Sequence, residues 1–92
     1  MSAPAPDAAV LAALRGLSAR EAAALRGHLT GASIAEVADG LGVEHSSVKT
    51  YMKRIRAKLA HALGHAPTPG DIGYHGTLWL RAGDAEHDEA SG

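Results

Sequence analysis

Residues 33–63 read SIAEVADGLGVEHSSVKTYMKRIRAKLAHAL, and two helical patterns meet inside them at Gly42-Val43. In the first pattern Ile34, Val37, Ala38 and Leu41 recur at steps of three and four. That spacing brings side chains to one face of a helix. Ser33 opens it and Glu36 stands three residues on, so hydroxyl and carboxylate can each satisfy the other residue's backbone amide, a capping box. Gly40 and Gly42 weaken the end of this short helix and permit a sharp turn, with Val43 anchoring the turn in the core. In the second pattern Val48, Met52, Ile55, Leu59 and Leu63 share a face. This longer helix is expected to begin near residues 44–46 and to run to about Leu63. Ser47, Thr50, Lys53, Arg54 and Ala57 fall toward its other side.

Charge separates along the chain more than its average suggests. The formal net charge over 92 residues is −1, which taken alone argues against a nucleic-acid partner. Yet residues 46–61 hold Lys49, Lys53, Arg54, Arg56 and Lys58 and no acid. Residues 71–92 hold Asp71, Asp84, Glu86, Asp88 and Glu89 against a single Arg81. A basic body and an acidic tail are averaged together. A short helix, a tight turn and a longer basic helix form the pattern of a helix-turn-helix that reads DNA.

On the N-terminal side, residues 1–6 are rich in Pro and Ala and are expected to be flexible. Asp7 is placed to cap a helix reaching Arg15, with Val10, Leu11 and Leu14 as its apolar stripe and Gly16 as its stop. Ser18 and Glu21 form another capping box. The helix they open runs to about Leu29, buries Ala22, Leu25 and Leu29, and is stopped by Gly31. On the C-terminal side, residues 64–70 (GHAPTPG) read as a loop. Residues 74–80 (YHGTLWL) have β character interrupted by turn residues and read as a short strand or an arm. Trp79 and Tyr74 either cap the small core or reach a second protomer or partner. Residues 82–92 are small, polar and acidic, and disorder is expected there.

Several classes of function are excluded by composition. The chain has no Cys, so disulfides, cysteine-bound metals and thiol chemistry are out of reach, and a reducing, cytoplasmic setting fits. No apolar run approaches a membrane span, and the start lacks the basic and apolar regions of a signal peptide. His61 and His65 have i, i+4 spacing, but Gly64 lies between them and no third metal ligand is evident. Glu21 and Glu36 might be read as paired catalytic carboxylates, but capping explains both and no nucleophile stands near. Neither an enzyme nor a cofactor is indicated.

The basic helix can be divided by chemistry. Lys49 and Lys53 are four residues apart, so both can enter one groove and donate to guanine O6 and N7. Thr50 offers a methyl to thymine or a hydroxyl to a base edge. Arg54, Arg56 and Lys58 fan toward the backbone and position rather than specify. Arg20, His45 and Ser46, near helix starts, are further backbone candidates.

Linked motifs give the middle of the chain a family likeness. Leu17-Ser18-Ala19-Arg20-Glu21, Gly31-Ala32-Ser33, Ile34-Ala35-Glu36-Val37-Ala38, Leu41-Gly42-Val43, Ser47-Val48-Lys49 and Lys58-Leu59 stand in order. Over residues 17–59 the chain resembles the LuxR-type helix-turn-helix DNA-binding domain. The resemblance implies a four-helix domain whose third helix enters the major groove, with Lys49, Thr50 and Lys53 toward the bases and Ser47 toward phosphate. Two departures stand out. Glu44 replaces the usual Ser or Thr, and a Gly/Pro loop follows where the family's fourth helix, often its dimer interface, should begin. The added helix over residues 7–15 is similar to region 4 of sigma factors, which reads a promoter while docking on RNA polymerase.

The expected architecture is all-α, a four-helix bundle-like helix-turn-helix domain with a non-helical C-terminal arm and a disordered acidic tail. Its divisions are a flexible N-terminus over residues 1–6, the DNA-binding domain over 7–64, a loop and Trp-bearing arm over 65–81, and the tail over 82–92. The length leaves no room for a receiver or ligand-binding domain, so a stand-alone or partner-controlled regulator is expected. Its partners would be double-stranded DNA, a second copy through the arm or helix end, and RNA polymerase or a regulatory protein. The alternative is a sigma-like or adaptor module whose main contact is protein, with DNA secondary.

Overall fold

The computed structural model describes the backbone of residues 6–91 and the side chains of residues 7–83. Five helices follow in order: α1 (Pro6–Arg15), α2 (Ala19–Leu29), α3 (Ile34–Leu41), α4 (His45–Leu63) and α5 (Pro69–Ser91). No strand occurs among the described residues. The long α4 packs against α1, α2 and α3, while α5 lies on α1 and α2.

Local chemistry accounts for the helix starts. At α2, Glu21 N–H donates to Ser18 Oγ at 3.1 Å and Ser18 N–H to Glu21 Oε1 at 3.0 Å. Ser33 and Glu36 repeat this reciprocity at α3 with the same distances. Both capping boxes are those expected from sequence. The α3–α4 turn depends on Gly42, which sits at φ 68 in the left-handed region that favours glycine. Val43 N–H then returns to the Ala38 carbonyl at 3.0 Å, closing the turn. At α4 the N-cap is Glu44, whose side chain makes no capping hydrogen bond.

Val10, Leu14, Leu25, Val48, Ile55 and Leu59 are the most completely enclosed aliphatic side chains. They come from α1, α2 and α4, which meet along one apolar seam. Val37, Ala38 and Met52 extend the seam toward α3. Ile34, expected on the buried side of α3, is 40% exposed at the first position of that helix and does not pack against the core. Ala22, Leu29, Leu41 and Leu63 are only partly buried. Asp7 does not cap α1 from outside; it lies within the first turn and turns its carboxylate toward α5.

The largest departure is at the C-terminal end. Residues 74–80 form neither a strand nor a non-helical arm; they lie within α5. A capping pair starts that helix. Thr68 N–H donates to Asp71 Oδ2 at 2.9 Å, and Asp71 N–H donates to Thr68 Oγ1 at 3.0 Å. Pro69 then fills the first helical position, where its fixed φ suits the helix and its missing N–H costs nothing. Ile72, His75, Gly76 and Trp79 make the buried face at steps of three and four. Gly76 is a packing site rather than a break: a Cβ there would stand 2.7 Å from both Leu29 δ-methyls. The helix is therefore present despite its glycines, because burial outweighs a penalty of about 1 kcal/mol for each. Disorder was expected over 82–92. The backbone instead continues as helix through Ser91; the side chains from 84 onward lie outside those described, as do residues 1–5 and 92.

Candidate nucleic-acid interface

α4 divides around its axis. Val48, Met52, Ile55 and Leu59 are buried, whereas Ser46, Lys49, Thr50 and Lys53 are exposed on the opposite side. A step of 100° per residue sets these four side chains within one face, open to solvent over the first half of the helix. Thr50 Oγ1 donates to the Ser46 carbonyl at 3.0 Å. Its proton is thus engaged within the helix, leaving the methyl and the oxygen lone pair for a neighbouring surface.

Ser47, Tyr51, Arg54 and Lys58 follow one another along the flank of α4 nearer α2. The nearness is fixed by two contacts. Lys58 Nζ lies 2.8 Å from Glu21 Oε1, and Arg20 Nη1 donates to Tyr51 Oη at 3.5 Å. Arg54 is exposed and Ser47 half-buried. His45 and Arg56 project, exposed, from the opposite flank. The site residues expected from sequence thus fall into three groups around one helix, with Arg20 brought in from α2. Tyr51, which the sequence did not single out, lies on this flank beside Arg20. Its signal was its register, four residues after Ser47 and three before Arg54.

Lys58 differs from the other cations of α4 because its ammonium is held on a buried carboxylate. Glu21 is 5% exposed. The Lys58 hydrogen bond, followed by the Ser18 backbone amide, holds its carboxyl below the ordinary value of 4.5 against the opposing effect of burial. A depressed carboxylate contributes stability that is complete above pH 4.5 and is lost as pH falls through the folded-state value. Acid titration of the wild-type chain is therefore expected to lower its melting temperature below about pH 4.5, with a smaller slope in Glu21→Gln. Lys58→Ala is expected to cost about 1–2 kcal/mol, discounted because the lysine side chain is 42% exposed. An unchanged acid slope in Glu21→Gln, read by thermal denaturation from pH 3 to 7, would contradict this role.

The paired histidines do not form a helical i, i+4 site. α4 ends at Leu63 with Gly64 as its cap, so His65 lies beyond the helix that carries His61. Among the described residues, no group of three His, Cys, Asp or Glu side chains is arranged to hold a metal. No helix among them is long and apolar enough to cross a membrane.

A solvent-facing cationic face on a helix that follows a glycine turn defines a helix-turn-helix. Residues 15–62 match the family model described as bacterial regulatory proteins, luxR family, which covers more than half of the chain. The chain therefore belongs to the luxR family of bacterial regulatory proteins. Members of this family are DNA-binding transcription regulators rather than enzymes. Neither the curated proteins nor the solved structures contain a match to the chain.

Proposed function

We propose that the chain is a sequence-specific regulator that places the outer face of α4 in the major groove of double-stranded DNA. The observation that carries this reading is the division of α4, with its apolar residues sealed in the core and Lys49, Thr50 and Lys53 left together on the exposed side. An α-helix fits the major groove, and lysine there donates to guanine acceptors. Lys49 and Lys53 read bases, and Thr50 meets a base edge with its methyl. Ser46, Ser47 and His45 meet a phosphate at the start of α4, where helix amides favour an anion. Arg20, Arg54 and Arg56 hold the flanking backbones. Lys58, engaged by Glu21, ties α4 to α2 and adds little to the phosphate attraction.

The DNA-binding unit extends beyond residues 7–64, since α5 completes the packing of α1 and α2. A homodimer through the exposed face of α5 or the end of α4 would read an inverted repeat with half-sites about 10 bp apart or a multiple of that. RNA polymerase or a regulatory protein is the further partner of such a regulator. Selection from a random duplex pool tests the reading. Enrichment of one sequence, with affinity falling steeply as salt rises, is the expected result. Binding without sequence preference would favour a module whose main partner is protein.

A further inference from the structure

We propose that Arg20 and Tyr51 act as one clamp on a DNA phosphate, with the Tyr51 hydroxyl as a contact group in its own right. The inference rests on the proposed placement of α4 in DNA and adds a residue to that interface. The Tyr51 ring is half-buried against the hydrophobic core, so the side chain is anchored and its hydroxyl is held at the rim. Arg20 Nη1 donates to that oxygen at 3.5 Å. A phenol accepts through its lone pairs and keeps its own proton to donate. Among the described residues, none accepts from the Tyr51 hydroxyl, and Arg20 makes no ion pair.

The surroundings select an anion. Glu21, the acid adjacent to Arg20, is neutralised by Lys58 at 2.8 Å. That same pair fixes α2 against α4, which keeps Arg20 beside Tyr51. Arg54 lies one turn beyond Tyr51 and Ser47 one turn before it, on the same flank of α4. A guanidinium and a phenol held side by side have donors left for one phosphate oxygen, and both hydrogen bonds to it would be charge-assisted. The flank adjoins the face of Lys49, Thr50 and Lys53, so a phosphate held there lies at the edge of the groove those residues enter.

The test uses the full chain and the duplex enriched from the random pool. Tyr51→Phe is expected to weaken binding about tenfold on specific and unrelated duplexes alike, leaving their ratio unchanged. Arg20→Ala is expected to do the same and to lower the salt slope by about one. The two losses should not multiply in the double variant, because each group serves the same phosphate. Neutralising single phosphates as methylphosphonates should reveal one position that weakens the wild type but neither variant further. Equal binding by wild type and Tyr51→Phe, with the wild type binding normally, overturns the clamp alone, as does a double variant whose losses multiply. A wild-type chain that binds no duplex overturns the interface and the clamp with it. If Tyr51→Phe fails to fold, the methylphosphonate scan on wild type and Arg20→Ala decides, and the absence of any phosphate that discriminates them refutes the clamp.

Discussion

Replacing Lys49 and Lys53 together by alanine is expected to abolish sequence preference while leaving the fold intact. Each good bidentate contact to a base contributes about 1–3 kcal/mol of discrimination, so the pair accounts for about 2–6 kcal/mol. Affinity for the preferred duplex should fall by about thirtyfold or more, and its ratio to unrelated DNA should approach one. Loss of two cations also lowers the salt slope by about two. Both lysines are exposed and neither makes a hydrogen bond or ion pair among the described residues. Their removal should therefore shift stability by no more than about 0.5 kcal/mol each, within the range of ordinary surface substitutions. The informative contrast is Arg54→Ala with Arg56→Ala, which removes the same charge from the flanks. That variant should bind all duplexes more weakly and keep its preference. Titrations of both variants against preferred and scrambled duplexes distinguish the roles. A lysine variant that keeps its preference would move base reading to another face.

Much of the proposed interface is legible in the sequence because periodicity alone separates the buried from the exposed side of a helix. Val48, Met52, Ile55 and Leu59 had to share a face, and the cations between them had to fall elsewhere. The capping boxes at Ser18 and Ser33 were legible for a similar reason: their partners lie three residues away. The engagement of Lys58 by Glu21 was not legible, since 37 residues separate them and only the packing of α2 on α4 brings them together. Tyr51 was hidden in the same way, its role depending on where Arg20 arrives from α2.

The helix α5 failed to show itself for a different reason. Residues 64–70, with Pro67, Pro69 and Gly70, read as a loop, and residues 74–80 had β character interrupted by turn residues. Yet Thr68-Pro69-Gly70-Asp71 carries a capping pair with Pro in the first helical position, a local start signal of the same kind as those at α2 and α3. Ile72, Trp79 and the small Gly76 also follow a helical stripe. The meaning of Gly76 could not be read from the chain, because the surface it must approach, Leu29, lies on another helix.

If α5 is a structural part of the domain, Trp79→Ala should be among its most destabilising substitutions. Trp79 is 9% exposed, and the Arg26 guanidinium lies 5.4 Å from its ring centroid. Truncating a buried tryptophan costs about 3–5 kcal/mol through lost transfer energy and the cavity left behind. A domain of this size has only about 5–15 kcal/mol in total, so the melting temperature should fall by more than about ten degrees. Gly76→Val disturbs the same packing of α5 on α2, forcing a side chain into the Leu29 methyls, and should cost about 1–3 kcal/mol. Tyr74→Phe is the mild control. It removes the hydrogen bond from Tyr74 Oη to Asp7 Oδ2 at 2.9 Å but leaves an exposed ring, and should cost no more than about 1 kcal/mol. The same substitutions tell a scaffold from an arm. With α5 packed on α1 and α2, away from the exposed face of α4, Trp79→Ala should bind DNA normally in the cold while melting early at every protein concentration. An arm that reached a second protomer would give the opposite result: monomer stability near wild type, and a loss confined to the concentration-dependent assembly.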